Sequence, residues 1–325
     1  MKRKLCSIVI AMILLTALPQ QADAEALLIP GGEIIGLELS DDTVTVAAFD
    51  DACSAAAREA GLRIGDRILT INQANIHCAD DVRKALRSCN GAITVTVLRG
   101  SKKETLHIVP QQTQEGPRLG IYLRQGIAGI GTVTFYDPGT GTFGTLGHGV
   151  NDANGNLLRM TEGSAYDATI FSVKAGIAGD PGQLRGTAEG SQSIGTLLKN
   201  TPHGVFGISR RGWRGEALPI ASYEEVCPGS ATIRSTINGR EVQEYSVEIL
   251  KIYSKDRSDG RNFLLRVTDP TLLKTTGGIV QGMSGSPLVQ DGKLIGAVTH
   301  VLVNDPTMGY GIFIENMLEA AEGGD

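Results

Sequence analysis

Glycine interrupts this chain too often for long helices to dominate it: 42 of its 325 residues are glycine, against 7 phenylalanines and a single tryptophan. Glycine weakens helix and strand interiors and supplies the positive φ that tight turns need. Many short strands joined by tight turns are therefore expected, a mainly β chain long enough for two or three units with cores of their own. A formal net charge of −5, with no basic stripe and no aromatic stacking platform, argues against nucleic acid as a partner.

The most informative glycines flank a serine. In Gln281-Gly-Met-Ser-Gly-Ser-Pro287, Gly282 and Gly285 permit a sharp turn on which Ser284 stands clear, with backbone N–H groups converging beside it. Pro287–Gln290, Asp291-Gly292 and Lys293–Val298 then read as strand, tight turn and strand. A serine turn feeding a hairpin is the local layout of chymotrypsin-like peptidases. Met283 reads as packing beneath the turn, and Ser286 is set aside because Pro287 follows it.

A serine nucleophile needs a base, and the chain has 5 histidines. His148, in Gly141-Thr-Phe-Gly-Thr-Leu-Gly-His-Gly149, has small residues on both sides that let its imidazole approach another strand. His77 and His107 lie in a different module, His203 follows Pro202 in a loop, and His300 reads as a pocket or structural residue. The third member of a triad is a carboxylate that fixes the imidazole tautomer. Asp152, Asp167, Asp180 and Asp269 all compete for it, and spacing alone favours Asp167 or Asp180.

The chain before the peptidase has another character. Lys2-Arg-Lys4, an apolar run from Leu5 to Leu18 and Ala22-Asp-Ala24 read as an export signal over residues 1–24. The run is short of the roughly 20 residues a spanning helix needs, so cleavage after Ala24 is expected, with an uncleaved anchor as the alternative. Over residues 26–110, Ala60-Gly-Leu-Arg-Ile-Gly-Asp-Arg-Ile-Leu-Thr-Ile-Asn72 resembles the PDZ signature, and Asp80–Ser88 is an amphipathic helix. A PDZ domain adds an extended peptide to a sheet edge, with a glycine-containing loop receiving its carboxylate. That loop is expected at Pro30, Gly31, Gly32, Ile34, Ile35 and Gly36, binding either a partner peptide or the chain's own N-terminal segment. Cys53, Cys78, Cys89 and Cys227 are expected as free thiols, and no metal or cofactor is implied.

Thr145-Leu-Gly-His-Gly149, Val267-Thr-Asp-Pro270, Gly277–Pro287, Gly296–Val301 and Asn304-Asp-Pro306 together resemble the stage IV sporulation protein B peptidase family. The resemblance implies an N-terminal α+β PDZ domain followed, over residues 111–325, by a chymotrypsin-like double β-barrel. It implies the triad His148, Asp269 and Ser284, with Gly282 and Ser284 N–H groups as the oxyanion hole. The strand Gly296, Ala297, Val298, Thr299 and His300 would pair with substrate, as its counterpart does in chymotrypsin-like enzymes. The implied task is sporulation signalling. A peptidase secreted into the space between the forespore membranes processes itself and cleaves a regulatory membrane protein, which releases an intramembrane metalloprotease that activates the late mother-cell sigma factor. Membrane association is then transient or through the N-terminal segment. The alternative is an exported PDZ scaffold or a quality-control protease without a sporulation role.

Overall fold

The computed structural model describes residues 26–152, 155–190 and 192–323; the export signal expected at residues 1–24 lies outside them. Strand accounts for 51% of the described residues and helix for 10%, so the mainly β expectation holds. Among the described residues no helix is long and apolar enough to cross a membrane.

Outside the expected PDZ region, the chain forms two barrels. In the second, six strands close on themselves in the order Gly229–Ser235, Gln243–Ile252, Phe263–Val267, Asp305–Phe313, Lys293–Leu302 and Pro287–Gln290. In the first, Thr142–Thr145, Gly204–Ser209, Gly195–Thr201, Glu162–Lys174, Ile34–Ser40 and Ile127–Tyr136 run in that order, and pairing of Ile127–Tyr136 with Thr142–Thr145 closes the ring. Closure removes the free edges that a sheet would otherwise offer to other chains.

The two neighbouring strands Ile34–Ser40 and Ile127–Tyr136 pair antiparallel from Ile34↔Thr132 to Leu39↔Ile127. Everything between them leaves the barrel at Ser40 and returns at Ile127. This excursion is the PDZ domain. Its sheet runs Ile121–Arg124, Val44–Phe49, Arg67–Ile71, Ile93–Arg99 and Lys102–Ile108. A separate core including Val44, Ile71, Val82, Val95 and Ile108 holds it together. At the end of the hairpin Ile93–Arg99/Lys102–Ile108, Arg99 bonds both oxygens of Asp66, at 2.8 and 2.7 Å.

The PDZ domain is followed by the bulk of the two barrels, as expected, but the barrel strand Ile34–Ser40 lies before it, so that it is an insertion in the first barrel; it runs on to Arg124, because Ile121–Arg124 pairs with Val44–Phe49. One expectation is corrected. The segment Pro30–Gly36 is barrel and not a peptide-binding loop. The N–H of Gly31 donates to Thr134 O at 3.0 Å, and that of Gly32 to Val133 O at 2.9 Å. A Cβ on Gly31 would sit 2.4 Å from Val133 O, so glycine is needed there for close strand approach. Ile34 and Ile35 are 4% and 0% exposed and enter different cores, as alternate residues of a strand packed on both faces do. The four cysteines among the described residues are free thiols, and of them only Cys53 is buried.

Candidate active site

The turn carrying Ser284 is built as the glycine spacing predicts. Gly282 has φ 101° and Gly285 φ 94°, conformations a Cβ disfavours. A Cβ on Gly285 would also lie 2.1 Å from Thr132 O. The first barrel holds the turn from the other side. Thr132 Oγ1 donates to Gly282 O and Thr134 Oγ1 to Gly285 O, each at 2.8 Å, and Thr132 N donates to Ser284 O at 3.1 Å. Met283 is 0% exposed beneath the turn. Ser286 is fully buried and bonded to the Ser235 hydroxyl, which removes it as a nucleophile.

With the carbonyls of the turn engaged, its amides divide. Those of Met283, Gly285 and Ser286 donate to Val280, Val298 and Met283 carbonyls. Among the described residues, the N–H groups of Gly282 and Ser284 have no protein acceptor. Two unengaged donors flanking one nucleophile are what an oxyanion hole requires. The Ser284 hydroxyl itself donates to Thr299 O at 2.8 Å.

His148 follows the strand Thr142–Thr145 through Leu146 and Gly147, both left-handed with φ 71° and 68°. A non-glycine residue held there costs roughly 1–2 kcal/mol. The barrel interface fixes this bend: a Cβ on Gly147 would meet Thr299 Cγ2 at 2.9 Å, and one on Gly149 would meet Thr201 O at 2.7 Å. The imidazole Nδ1 lies 2.9 Å from Gly149 O. A carbonyl only accepts, so Nδ1 carries the proton and Nε2 is left as the base. Burial lowers the His148 pKa below the ordinary imidazole value, opposed by the Gly149 contact.

The ring of His300 lies 5.1 Å from that of His148, tilted by 39°. Its Nδ1 is buried without a partner. Burial first, then the proximity of His148 and Arg261, lower its pKa to about 4, against the pull of Asp259. A second imidazole therefore stands beside the base uncharged at neutral pH. Sequence reasoning placed His300 near the pocket but not against His148.

Asp269 is not brought to His148. It caps the helix Pro270–Thr276, its Oδ1 accepting from Thr271 N at 2.9 Å and Leu272 N at 3.0 Å. An aspartate at N-cap before a proline is a common helix start. The spacing candidates are engaged elsewhere too: Asp167 pairs with Arg211 and Arg240, Asp180 with Lys174, and Asp152 accepts from Asn156 N within its own turn. The proton on His148 Nδ1 thus rests on a backbone carbonyl.

The substrate strand is also narrower than expected. Gly296 and Ala297 pair with Leu288 and Pro287 on one side and with Phe313 and Ile312 on the other. Val298 pairs with Gly311, and its N–H and C=O bond Ser286 O and Gly285 N. These three have no free edge for a substrate. Only from Thr299 and His300 onward, where Pro287–Gln290 no longer runs alongside, is one edge uncovered.

The PDZ domain has a groove away from the loop that the sequence suggested. It has a volume of about 680 Å³ and runs between the helix Ala79–Arg87 and the edge strand Ile121–Arg124, with Val82 and Leu86 on one wall and Leu119 to Leu123 on the other. Gly120 has φ 66°, and a Cβ there would lie 2.3 Å from Cys53 O. The signal was present in Leu119-Gly120-Ile121, a hydrophobic–glycine–hydrophobic step into a strand. It follows the rest of the PDZ sequence where a preceding loop was sought.

The SpoIVB peptidase S55 family profile matches residues 115–318, more than half of the chain. The chain belongs to the SpoIVB peptidase S55 family. A PDZ domain profile matches residues 34–109. That match begins at Ile34, in the strand the fold assigns to the barrel. Two relatives are described as putative zinc metalloproteases. Atu1380 of Agrobacterium fabrum is 29% identical over 147 residues, 44% of this chain and 38% of that protein. R01501 of Rhizobium meliloti is 36% identical over 100 residues, 30% of this chain and 26% of that protein. The chain thus spans well under half the length of either. Among solved structures, the active form of the Rv3671c protease from M. tuberculosis aligns with TM-score 0.39 at 14% identity, covering 61% of this chain and 76% of that one. The inactive form of Rv3671c aligns with TM-score 0.35 at 13% identity, covering 59% and 82%.

Proposed function

We propose that this chain is an exported serine endopeptidase in which Ser284 attacks and His148 is the base. The observation that carries the reading is one hollow lined by both Ser284 and His148, beside the two unengaged amides of Gly282 and Ser284. The Ser284 hydroxyl leaves Thr299 O and gives its proton to His148 Nε2 as its oxygen attacks the scissile carbonyl. The oxyanion is held by the two amides, and loss of one such donor costs about 100-fold or more. His148 then hands the proton to the departing amine, and water hydrolyses the acyl-enzyme by the same route in reverse. Throughout, the proton stays on Nδ1, donated to Gly149 O, and the neutral His300 adds no repulsion to the imidazolium.

Family membership supports a reading of the biological task as well. The peptidase acts between the forespore membranes in sporulation signalling, processes itself, and cleaves a regulatory membrane protein so that an intramembrane metalloprotease is released to activate the late mother-cell sigma factor. The PDZ groove at Ile121–Arg124 receives the extended peptide, from a partner or from the chain's own N-terminal segment. Wild type and Ser284→Ala, each as the full chain, test the chemistry: the alanine variant should lose both self-trimming and cleavage of the membrane substrate. Retention of both would remove Ser284 as nucleophile.

A further inference from the structure

The hollow beside Ser284 has a chemistry of its own. Its volume is about 340 Å³, and its walls are Leu37, Leu39, Ile127, Ile130, Leu146 and Val150, with Asn151 and Gln281 as its polar side chains besides those of Ser284 and His148. No Asp, Glu, Lys or Arg lines it. Leu37 and Leu39 come from one barrel strand and Ile127 from its neighbour, and they share a face because Gly129 is paired with Leu37 and Ile127 with Leu39. This is the place where the interior of the first barrel opens onto the reacting serine.

Gly129 keeps it open. On the same face two residues along, a Cβ at Gly131 would strike Leu146 Cδ2 at 2.3 Å, whereas a Cβ at Gly129 would meet nothing within 4 Å. Gly129 is not among the residues of positive φ. Neither backbone geometry nor packing therefore requires glycine at this position, and the hollow is the space its missing side chain leaves. We infer that this hollow is a specificity subsite that receives an aliphatic side chain of the substrate next to the scissile bond, with Gly129 as the residue that sets its depth. The inference rests on Ser284 and His148 being the reacting pair and names the substrate class they act on. An apolar pocket without a counter-ion admits Leu, Ile, Val or Met and rejects a charged side chain, which would have to shed its hydration unpaired. Each methylene gained or lost in such a pocket is worth roughly 10- to 200-fold.

Digestion of a mixed peptide library by the full-length enzyme, with cut sites read by mass spectrometry, tests this. Wild type should cut with Leu, Ile, Val or Met at one fixed position beside the bond, at least about 10-fold over Asp, Glu, Lys and Arg. Gly129→Phe should fill the hollow and move the cuts toward Gly, Ala and Ser at that position. Gly129→Asp should move them toward Lys and Arg. If the phenylalanine variant fails to melt cooperatively, Gly129→Ala decides, by narrowing the preference to the smaller aliphatics. Cuts without an aliphatic preference, or a preference unmoved by folded Gly129 variants, overturn the subsite. Cutting that survives Ser284→Ala would instead overturn the nucleophile, a distinct result.

Discussion

The two barrels hold the proposed nucleophile and the proposed base differently. Ser284 sits in a turn whose carbonyls at Gly282, Ser284 and Gly285 are all bonded across the interface, with two glycines that no larger residue could replace. His148 is held by the carbonyl of its own neighbour and by one ring, after a left-handed leucine. The nucleophile is built in advance by the second barrel and locked by the first. The base belongs to the barrel that also carries the PDZ insertion, and the two strands from which that insertion leaves and returns wall the hollow beside Ser284. Cross-barrel hydrogen bonds are thus concentrated at the serine turn.

The largest break in that comparison is His148→Ala. With the serine side intact, kcat should fall by about 10⁴- to 10⁶-fold, as removing one member of a catalytic unit does; steady-state peptide cleavage reads it. Next is Gly285→Ala, whose Cβ would press on Thr132 O in a left-handed conformation. Melting should show a loss of about 2 kcal/mol or more. Thr132→Val, which unhooks Gly282 O while filling the same space, should cost about 1–3 kcal/mol and lower kcat more than it raises KM.

Asp269 separates cap from catalyst. If it only caps, Asp269→Ala should cost about 1 kcal/mol and Asp269→Asn a few tenths, each with kcat close to wild type. A fall of about 10⁴ for the asparagine variant at unchanged melting temperature would mean that the carboxylate reaches His148 in the working enzyme. The smallest effect is in pH. Burial lowers the His148 pKa, so its neutral form persists further into acid, and the acid limb of kcat/KM should be centred below about 6.5. A limb centred above that value would point to a carboxylate partner. His300 has its pKa lowered to about 4. Between about 6.5 and that value the unfolded chain binds a proton the folded one does not, so stability should decline as pH falls through this window, as acid denaturation curves would report.

How much was legible follows the range of the interactions. Gly282, Ser284 and Gly285 were readable because positive φ and an open turn are demanded by neighbouring residues alone. The hairpin Pro287–Gln290/Lys293–Leu302 and the PDZ core from Ala60 to Asn72 were readable for the same reason. Asp269 was put forward by the resemblance, against a spacing that favoured Asp167 or Asp180, and its local signal, an aspartate before a proline starting a helix, is the one the structure displays. His300 and Gly149 O gave no signal as partners of His148, since neither residue type nor spacing says which way a ring or a carbonyl will face.

The sequence by itself determined a β-rich, glycine-turned chain with a PDZ domain and an open turn at Ser284, because turn chemistry and strand alternation are local. Only the tertiary structure decided that Ile34–Ser40 pairs with Ile127–Tyr136, that the PDZ domain is therefore an insertion, and that Pro30–Gly36 belongs to a barrel. That pairing joins strands separated by a whole folded domain, and it is selected by the buried apolar faces they share, which no short stretch of either strand specifies.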